Sequence, residues 1–235
     1  MADTKEIEKQ KISKNMTPRK ALQFLLLGLL WLLLCIPVVT AGAATCAFFY
    51  VGIKILNNDP DVKVASLFFK GIKQNFVQGL LMFLISVVSL GGLGALIAWT
   101  IKTDQSKLVI FIVAGCALVA FIFNIFAYPI IARYENTFGN IMRNTVALAF
   151  TYLRDALGLA GILVILIGID VFLFRLNLYA GLASLLFWPS TLFYFTTSRI
   201  AAIFYKVEHP VQYDENGDPI ETENNNIDKN EEIES

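Results

Sequence analysis

Among the residues of this sequence that could take part in chemistry, the most prominent is a carboxylate at the end of a strongly apolar stretch. Asp170 follows residues 161–169, which contain only glycine and aliphatic side chains. A carboxylate in such surroundings can bind a proton or a substrate, because ionised side chains are costly there and rare without a function. It can also lie near a membrane surface, where it faces water or pairs with Arg175. The sequence leaves both interpretations open.

Two further residues interrupt apolar stretches. Asn124 is polar at a position where its neighbours are apolar, and such a side chain commonly forms a hydrogen bond to an adjacent helix. Pro189 lies within a third apolar stretch, where proline frees a backbone carbonyl and kinks a helix. Together with Asp170, these residues could line the polar path of a small transporter.

The sequence contains no set of residues with the spacing of a catalytic centre, a metal site or a nucleotide loop. The three cysteines stand singly inside apolar runs. The glycines at 91–94 follow no predicted strand, and the acidic residues at 214–218 lack the glycine and glutamate of a calcium loop. We therefore expect no enzyme activity, no cofactor, no metal and no nucleic-acid partner.

The composition is that of an integral membrane protein. Of the 235 residues, 56% are hydrophobic and 16% are charged, whereas a soluble domain carries about 25% charged residues. A helix needs about 20 apolar residues to cross the hydrocarbon core of a bilayer. Apolar runs cover residues 21–56, 77–101, 108–132, 156–174 and 179–205.

The first run, 21–56, is too long for one upright helix, and Pro37 lies near its middle. It forms either one tilted helix or two short helices that fold back at Pro37. Lys and Arg accumulate on the cytoplasmic side of membrane proteins. With a hairpin and a cytoplasmic N-terminus, 16 of the 19 basic residues lie inside the cell, which favours the hairpin. Full crossing and re-entry both stay open, because 21–36 is short for a span.

We therefore predict an all-α, polytopic transmembrane helical bundle of six membrane segments arranged as three hairpins. Residues 1–20 form a basic N-terminus, 21–206 form the membrane domain, and 207–235 form a tail that holds 10 of the 19 acidic residues. The composition of the tail predicts disorder. Such a chain resides in the plasma membrane as a multi-pass protein, with both termini in the cytoplasm and the lipid bilayer around it.

Two of the predicted cytoplasmic segments have a helical pattern of their own. In 65–76, apolar residues including Phe76 share one face, and Lys70 and Lys73 lie on another. In 140–154, apolar residues interleave with polar ones such as Arg143. Helices of this kind lie at the membrane surface, where their cationic side chains are candidate contacts for a partner protein.

Several short strings resemble the YesL family of bacterial integral membrane proteins, a domain of unknown function. The resemblance extends over about residues 20–206 and is strongest near the N-terminus. It rests on Leu29-Leu30-Trp31-Leu32, on Pro37-Val38-Val39-Thr40-Ala41-Gly42-Ala43-Ala44-Thr45, on Phe68-Phe69-Lys70, on Lys73-Gln74-Asn75-Phe76, on Tyr128-Pro129 and on Ala132-Arg133-Tyr134.

The resemblance implies an association with the carbohydrate uptake loci of Gram-positive bacteria. It points to an accessory or regulatory subunit that contacts an ABC permease or a membrane sensor kinase. It supplies no catalytic residue. The stretch that holds Pro37, Thr40 and Gly42 becomes a candidate functional segment, and a tight hairpin turn explains the same residues equally well.

Cysteine-accessibility labelling tests the predicted orientation. In a variant without the native cysteines, single cysteines at Lys63 and Asp214 should react only with reagents that enter the cytoplasm. A cysteine at Asp104 should react with an impermeant reagent from outside. Labelling of position 63 from outside would instead restore an arrangement of five spans, in which the first run is one helix.

Overall fold

The computed structural model describes residues 17–57, 59, 62–103 and 106–208, and it is helical without strands in these ranges. The first helices are α1 (Pro18–Cys35), α2 (Ala41–Leu56) and α3 (Val64–Ser86). A π-helical turn (Val87–Gly91) joins α3 to α4 (Gly92–Lys102). The remaining helices are α5 (Lys107–Arg133), α6 (Phe138–Thr151), α7 (Leu153–Leu176) and α8 (Leu178–Glu208).

Some predicted features lie outside the described residues. These are nearly all of the basic N-terminus, the acidic tail from residue 209 onward, and the labelling positions Asp104 and Asp214. The chain divides into two compact units after Ala201. Both polar clusters discussed below belong to the first unit.

Helices occupy all six predicted membrane segments, so the all-α fold class is confirmed. Within the described ranges, five stretches are long and apolar enough to cross a membrane, namely Pro18–Cys35, Val38–Leu56, Val64–Lys102, Lys107–Arg133 and Leu153–Leu176. The sixth segment, α8, is a helix of 31 residues that contains Pro189. Large apolar side chains are exposed along most of these helices, as lipid contact requires. The chain is a multi-pass helical membrane protein.

The first apolar run folds into two helices that break at Pro37. A 3₁₀ turn, Val38–Thr40, follows the proline and leads into α2. The indole Nε1 of Trp31 donates a hydrogen bond of 3.1 Å to Thr45 Oγ1, which joins α1 to α2 side by side. The predicted hairpin is therefore confirmed, and a single tilted helix over 21–56 is excluded.

Thr40 closes the turn between the two helices. Its hydroxyl oxygen lies within hydrogen-bonding distance of the Leu34 carbonyl and 2.7 Å from the Pro37 carbonyl. The last carbonyls of a helix have no partner inside the helix. Thr40 therefore supplies a donor where α1 ends and the proline cannot.

Glycines let α2 and α3 approach closely. A Cβ atom on Gly79 would lie 2.8 Å from both the backbone N and the Cα of Ala43. Further along, a Cβ on Gly71 would lie 3.1 Å from the Cα of Ala47. The pairing of a later α2 residue with an earlier α3 residue shows that the helices are antiparallel. Gly42, on the α2 side, faces Gly79 directly.

The helix predicted at 65–76 is present, but it is continuous with the span that follows. Val64–Lys102 forms one helical stretch of 39 residues, with non-helical angles at Asn75 (φ −108°, ψ 15°). Asn75 Nδ2 donates to the Gly71 carbonyl over 3.1 Å. Lysines on one face suggested a surface helix, whereas the opposite face packs on α2. The helix predicted at 140–154 corresponds to α6 and is separate from its neighbours.

One turn of α3 contacts both α2 and the loop between α5 and α6. Gly79 packs on Gly42, and the adjacent Gln78 donates from Nε2 to the Asn136 carbonyl over 2.8 Å. The Pro37 turn therefore lies beside the loop at 134–137, whereas the predicted three hairpins place these two turns on opposite sides of the membrane. As a result, α2 packs along the N-terminal half of the long helix that runs from Val64 to Lys102. The C-terminal part of that helix, α4, packs on α5.

Substitution of Gly79 by alanine tests the α2–α3 contact. The added methyl group meets the Ala43 backbone, so we expect a loss of about 1–3 kcal/mol of stability, as for other overpacked cores. Gly92 is a matched control in the same continuous helix, since no atom lies within 4 Å of its would-be Cβ. Gly92→Ala should leave the unfolding midpoint in detergent unchanged or higher. Equal midpoints for both variants would contradict the close approach.

Candidate functional site

Two groups of polar side chains lie between apolar helices in the part of the chain that the structure describes. We call the first the Asn124 cluster, which consists of Ser86, Asn124 and Tyr128. We call the second the Asp170 pocket, a cavity between α7 and α8. Each contains one residue that the sequence singled out.

The Asn124 cluster joins α3 to α5. Ser86 Oγ forms a hydrogen bond with Asn124 Oδ1 and lies 2.8 Å from the Tyr128 hydroxyl. Asn124 Nδ2 donates to the Ala120 carbonyl over 2.8 Å, which orients Oδ1 toward Ser86. Ser86 Oγ also lies 2.8 Å from the Met82 carbonyl. Asn124 thus links two helices through a buried hydrogen bond.

The hydrogen bonds of this cluster can be completed without any added group. A serine hydroxyl has one proton. Ser86 gives that proton to Asn124 Oδ1 or to the Met82 carbonyl, and Tyr128 donates its own proton to Ser86. The cluster lies where α3 passes into the π-helical turn, a feature often found near functional sites. Since every polar side-chain atom of the cluster has a partner, the cluster is suited to holding α3 and α5 in register.

The Asp170 pocket is different because, among the described residues, its carboxylate has only a neutral partner. Ser184 Oγ, on α8, forms a hydrogen bond with Asp170 Oδ1 and lies 2.7 Å from the Gly181 carbonyl. Beside these groups lies a cavity of about 180 Å³. The residues that line it are Leu166, Ile169, Asp170, Leu173, Ser184, Phe187, Trp188, Thr191 and Leu192.

Arg175 does not neutralise Asp170. Five residues along a helix correspond to a rotation of about 140°, so the two side chains leave α7 in different directions. Arg175 is exposed and is absent from the residues that line the pocket. The ion pairs of the described residues do not include Asp170. The structure therefore does not show the pair between Asp170 and Arg175 that the sequence left open.

Asn124, Asp170 and Pro189 do not share one cavity. Asn124 lies between α3 and α5, whereas Asp170 lies between α7 and α8. Pro189 follows a pocket residue, Trp188, but is not itself in the lining. The next residue, Ser190, faces α1, where a Cβ on Gly28 would lie 3.2 Å from the Ser190 nitrogen. The structure thus forms two separate polar clusters.

The candidate cations lie on the surface. Lys70 and Lys73 are exposed on α3, and Arg143 is exposed on α6. Phe76, which the periodicity placed on the apolar face of this helix, is exposed as well. Pro37, Thr40 and Gly42 form the hairpin turn and its contact with α3.

Sequence reasoning missed several partners of these residues. Ser86 and Ser184 are not among the residues that the sequence singled out, Trp188 was noted only as a neighbour of Pro189, and Tyr128 contributed to the Tyr128-Pro129 string without a structural role. The spacing of Tyr128 was a usable signal. Asn124 and Tyr128 are four residues apart, and residues with this spacing share a helix face. Nothing comparable links Ser184 to Asp170, since their pairing depends on how α7 packs against α8.

Comparison with known proteins adds a partial match. A family model described as "Protein of unknown function, DUF624" matches residues 24–95. The matched region contains most of α1, all of α2 and α3, and the first turn of α4, including the Pro37 turn and the Gly42–Gly79 contact. Searches of curated proteins and of solved structures found no match.

A double-mutant cycle on Ser86→Ala and Asn124→Ala tests the Asn124 cluster. Interhelical hydrogen bonds in membranes average about 0.6 kcal/mol, with values up to about 1.7 kcal/mol, so we expect a coupling energy in this range. Stability is measured by denaturant titration of the protein in detergent. Thr103→Ala, far along the same continuous helix and exposed, is the control partner for Ser86→Ala and should show additive effects. If the stability effects of Ser86→Ala and Asn124→Ala are additive, the hydrogen bond between the two side chains is ruled out.

Proposed function

We propose that the protein is an accessory or regulatory component of a bacterial carbohydrate ABC import or sensing system. In this role it acts by direct contact with a permease or a membrane sensor kinase. One observation carries the proposal, and it is the outer face of α3. We define this face by five exposed residues, Phe69, Lys70, Lys73, Phe76 and Val77.

The composition of the outer face suits protein contact. Aromatic side chains are enriched at protein interfaces, and charged residues at the rim steer the approach of a partner. Phe69 and Val77 are about one half and two thirds exposed, respectively. The two lysines between them favour a partner surface that carries acidic side chains.

The outer face is held on a rigid support. The opposite side of the same helix turns is buried, with Phe68 inaccessible and Gly71 against Ala47 of α2. Because the backbone beneath the face is already ordered, this protein would lose little conformational entropy when a partner binds. A second face of similar composition lies on α6, where Arg143, Val146 and Phe150 are exposed and Ile141 is buried.

Two further points support the assignment. Phe69, Lys70 and Lys73 fall inside the matched residues 24–95. The link to carbohydrate uptake comes from the resemblance of the sequence strings to the YesL family. The alternative of a small transporter with a path near Asp170 and Asn124 has less support, because the two residues occupy separate clusters.

Affinity purification from native membranes tests the proposal. We expect the wild-type protein to retain a permease or a sensor kinase in fixed stoichiometry. Lys70→Glu/Lys73→Glu should reduce the retained partner at least about tenfold, since loss of close charge pairs at an interface costs about 1.5 kcal/mol or more. Quantitative mass spectrometry of the eluted membrane proteins measures the effect.

Matched variants separate this effect from a general change of charge. Lys102→Glu/Lys107→Glu reverses two exposed lysines, one at the end of α4 and one at the start of α5, and should retain the partner. A photo-crosslinking residue at Phe69 should capture the partner, whereas one at Phe111, which is exposed on α5, should not. The proposal fails if the wild-type protein retains no stoichiometric partner.

A further inference from the structure

The Asp170 pocket contains a carboxylate without an opposite charge. No basic side chain is among the residues that line it. Ser184 offers one hydroxyl proton, and the Gly181 carbonyl competes for it. A carboxylate within an apolar helix is costly unless something compensates for its charge. Among the described residues, nothing supplies a compensating positive charge.

The walls of the pocket indicate what kind of group fits there. Apart from Asp170, Ser184 and Thr191, all lining residues are apolar or aromatic. Phe187 and Trp188 line the same pocket as the carboxylate, and aromatic faces attract ammonium groups. A carboxylate, a hydroxyl and aromatic rings together recognise an amine with apolar substituents.

The size and position of the pocket limit how the ligand enters. A cavity of about 180 Å³ holds about six groups of the size of water, at about 30 Å³ each. This accommodates an ammonium group and the first carbons attached to it. Ile169 and Phe187 line the pocket while they are 52% and 58% exposed, so an attached chain can leave between them toward lipid.

We propose that the Asp170 pocket binds an ammonium group attached to an apolar chain, with Asp170 as its counter-ion. The same primary ammonium group occurs in a free amphiphilic amine dissolved in the membrane and in the headgroup of phosphatidylethanolamine, where two carbons and a phosphate separate it from the acyl chains. The site is independent of the proposed contact role, because it lies on α7 and α8 and the outer face lies on α3.

Binding of octylamine tests the site. The protein is placed in nanodiscs of phosphatidylglycerol, which has no amine, and the unfolding midpoint is followed as octylamine is added. Saturable stabilisation should occur with octylamine and not with octanol, which has the same chain and no charge. Asp170→Asn should raise the apparent Kd about tenfold to a hundredfold, as expected for loss of a charge-assisted hydrogen bond. Asp155→Asn, an exposed carboxylate on the same helix, should bind as the wild type does.

Trp188→Leu provides a second variant that keeps the carboxylate. It should weaken octylamine binding severalfold, because it removes the aromatic face. Equal stabilisation by octanol, an unchanged Kd in Asp170→Asn or in Trp188→Leu, or no saturable effect of octylamine would each overturn the proposal.

Nanodiscs that also contain phosphatidylethanolamine distinguish the two sources of the amine. Competition, seen as a higher apparent Kd for octylamine, supports the lipid headgroup as the occupant. An unchanged Kd supports a free amine. Loss of the partner in the purification experiment would leave these results unaffected, so the two proposals can fail separately.

Discussion

A polar group inside a bilayer has no water to bond with, so it must find its partner within the protein or pay a large desolvation cost. This constraint accounts for most of the side-chain hydrogen bonds in the structure. Threonines bond back to their own helices, as Thr45 and Thr196 do to the Ala41 and Leu192 carbonyls. Where a helix has to end, Thr40 takes over the same task for α1.

Close packing is the second consequence, since apolar side chains gain little from leaving lipid for another helix. Association then depends on how near two backbones can come. At Gly42 and Gly79 no side chain separates α2 from α3, and the contact aligns the Pro37 turn with the loop at 134–137. The long helix from Val64 to Lys102 is thus anchored by its first half, and its second half depends on α5.

Sequence reasoning succeeded where a property of the chain itself decides the outcome. Apolar length located the helices, and the distribution of Lys and Arg chose the hairpin at Pro37. It failed where the neighbours decide. Nothing between 76 and 77 stops a helix, so 65–76 continues into the span, although its lysines resembled those of a surface helix. The partners of Asn124 and Asp170 could not be predicted, because they depend on which helices pack together.

The two polar clusters obey the same constraint in opposite ways. Around Asn124, every polar side-chain atom has a partner, so a ligand would have to displace a bond that already exists. Around Asp170, no described residue balances the carboxylate, and a cavity lies next to it. The buried polar side-chain atoms without a partner in the described ranges are Lys20 Nζ, Trp188 Nε1, Ser190 Oγ and Thr197 Oγ1. Of these residues, Trp188 also lines the pocket, whereas Ser190 and Thr197 face α1 and α2. Binding beside Asp170 therefore has more free energy to gain than binding beside Asn124.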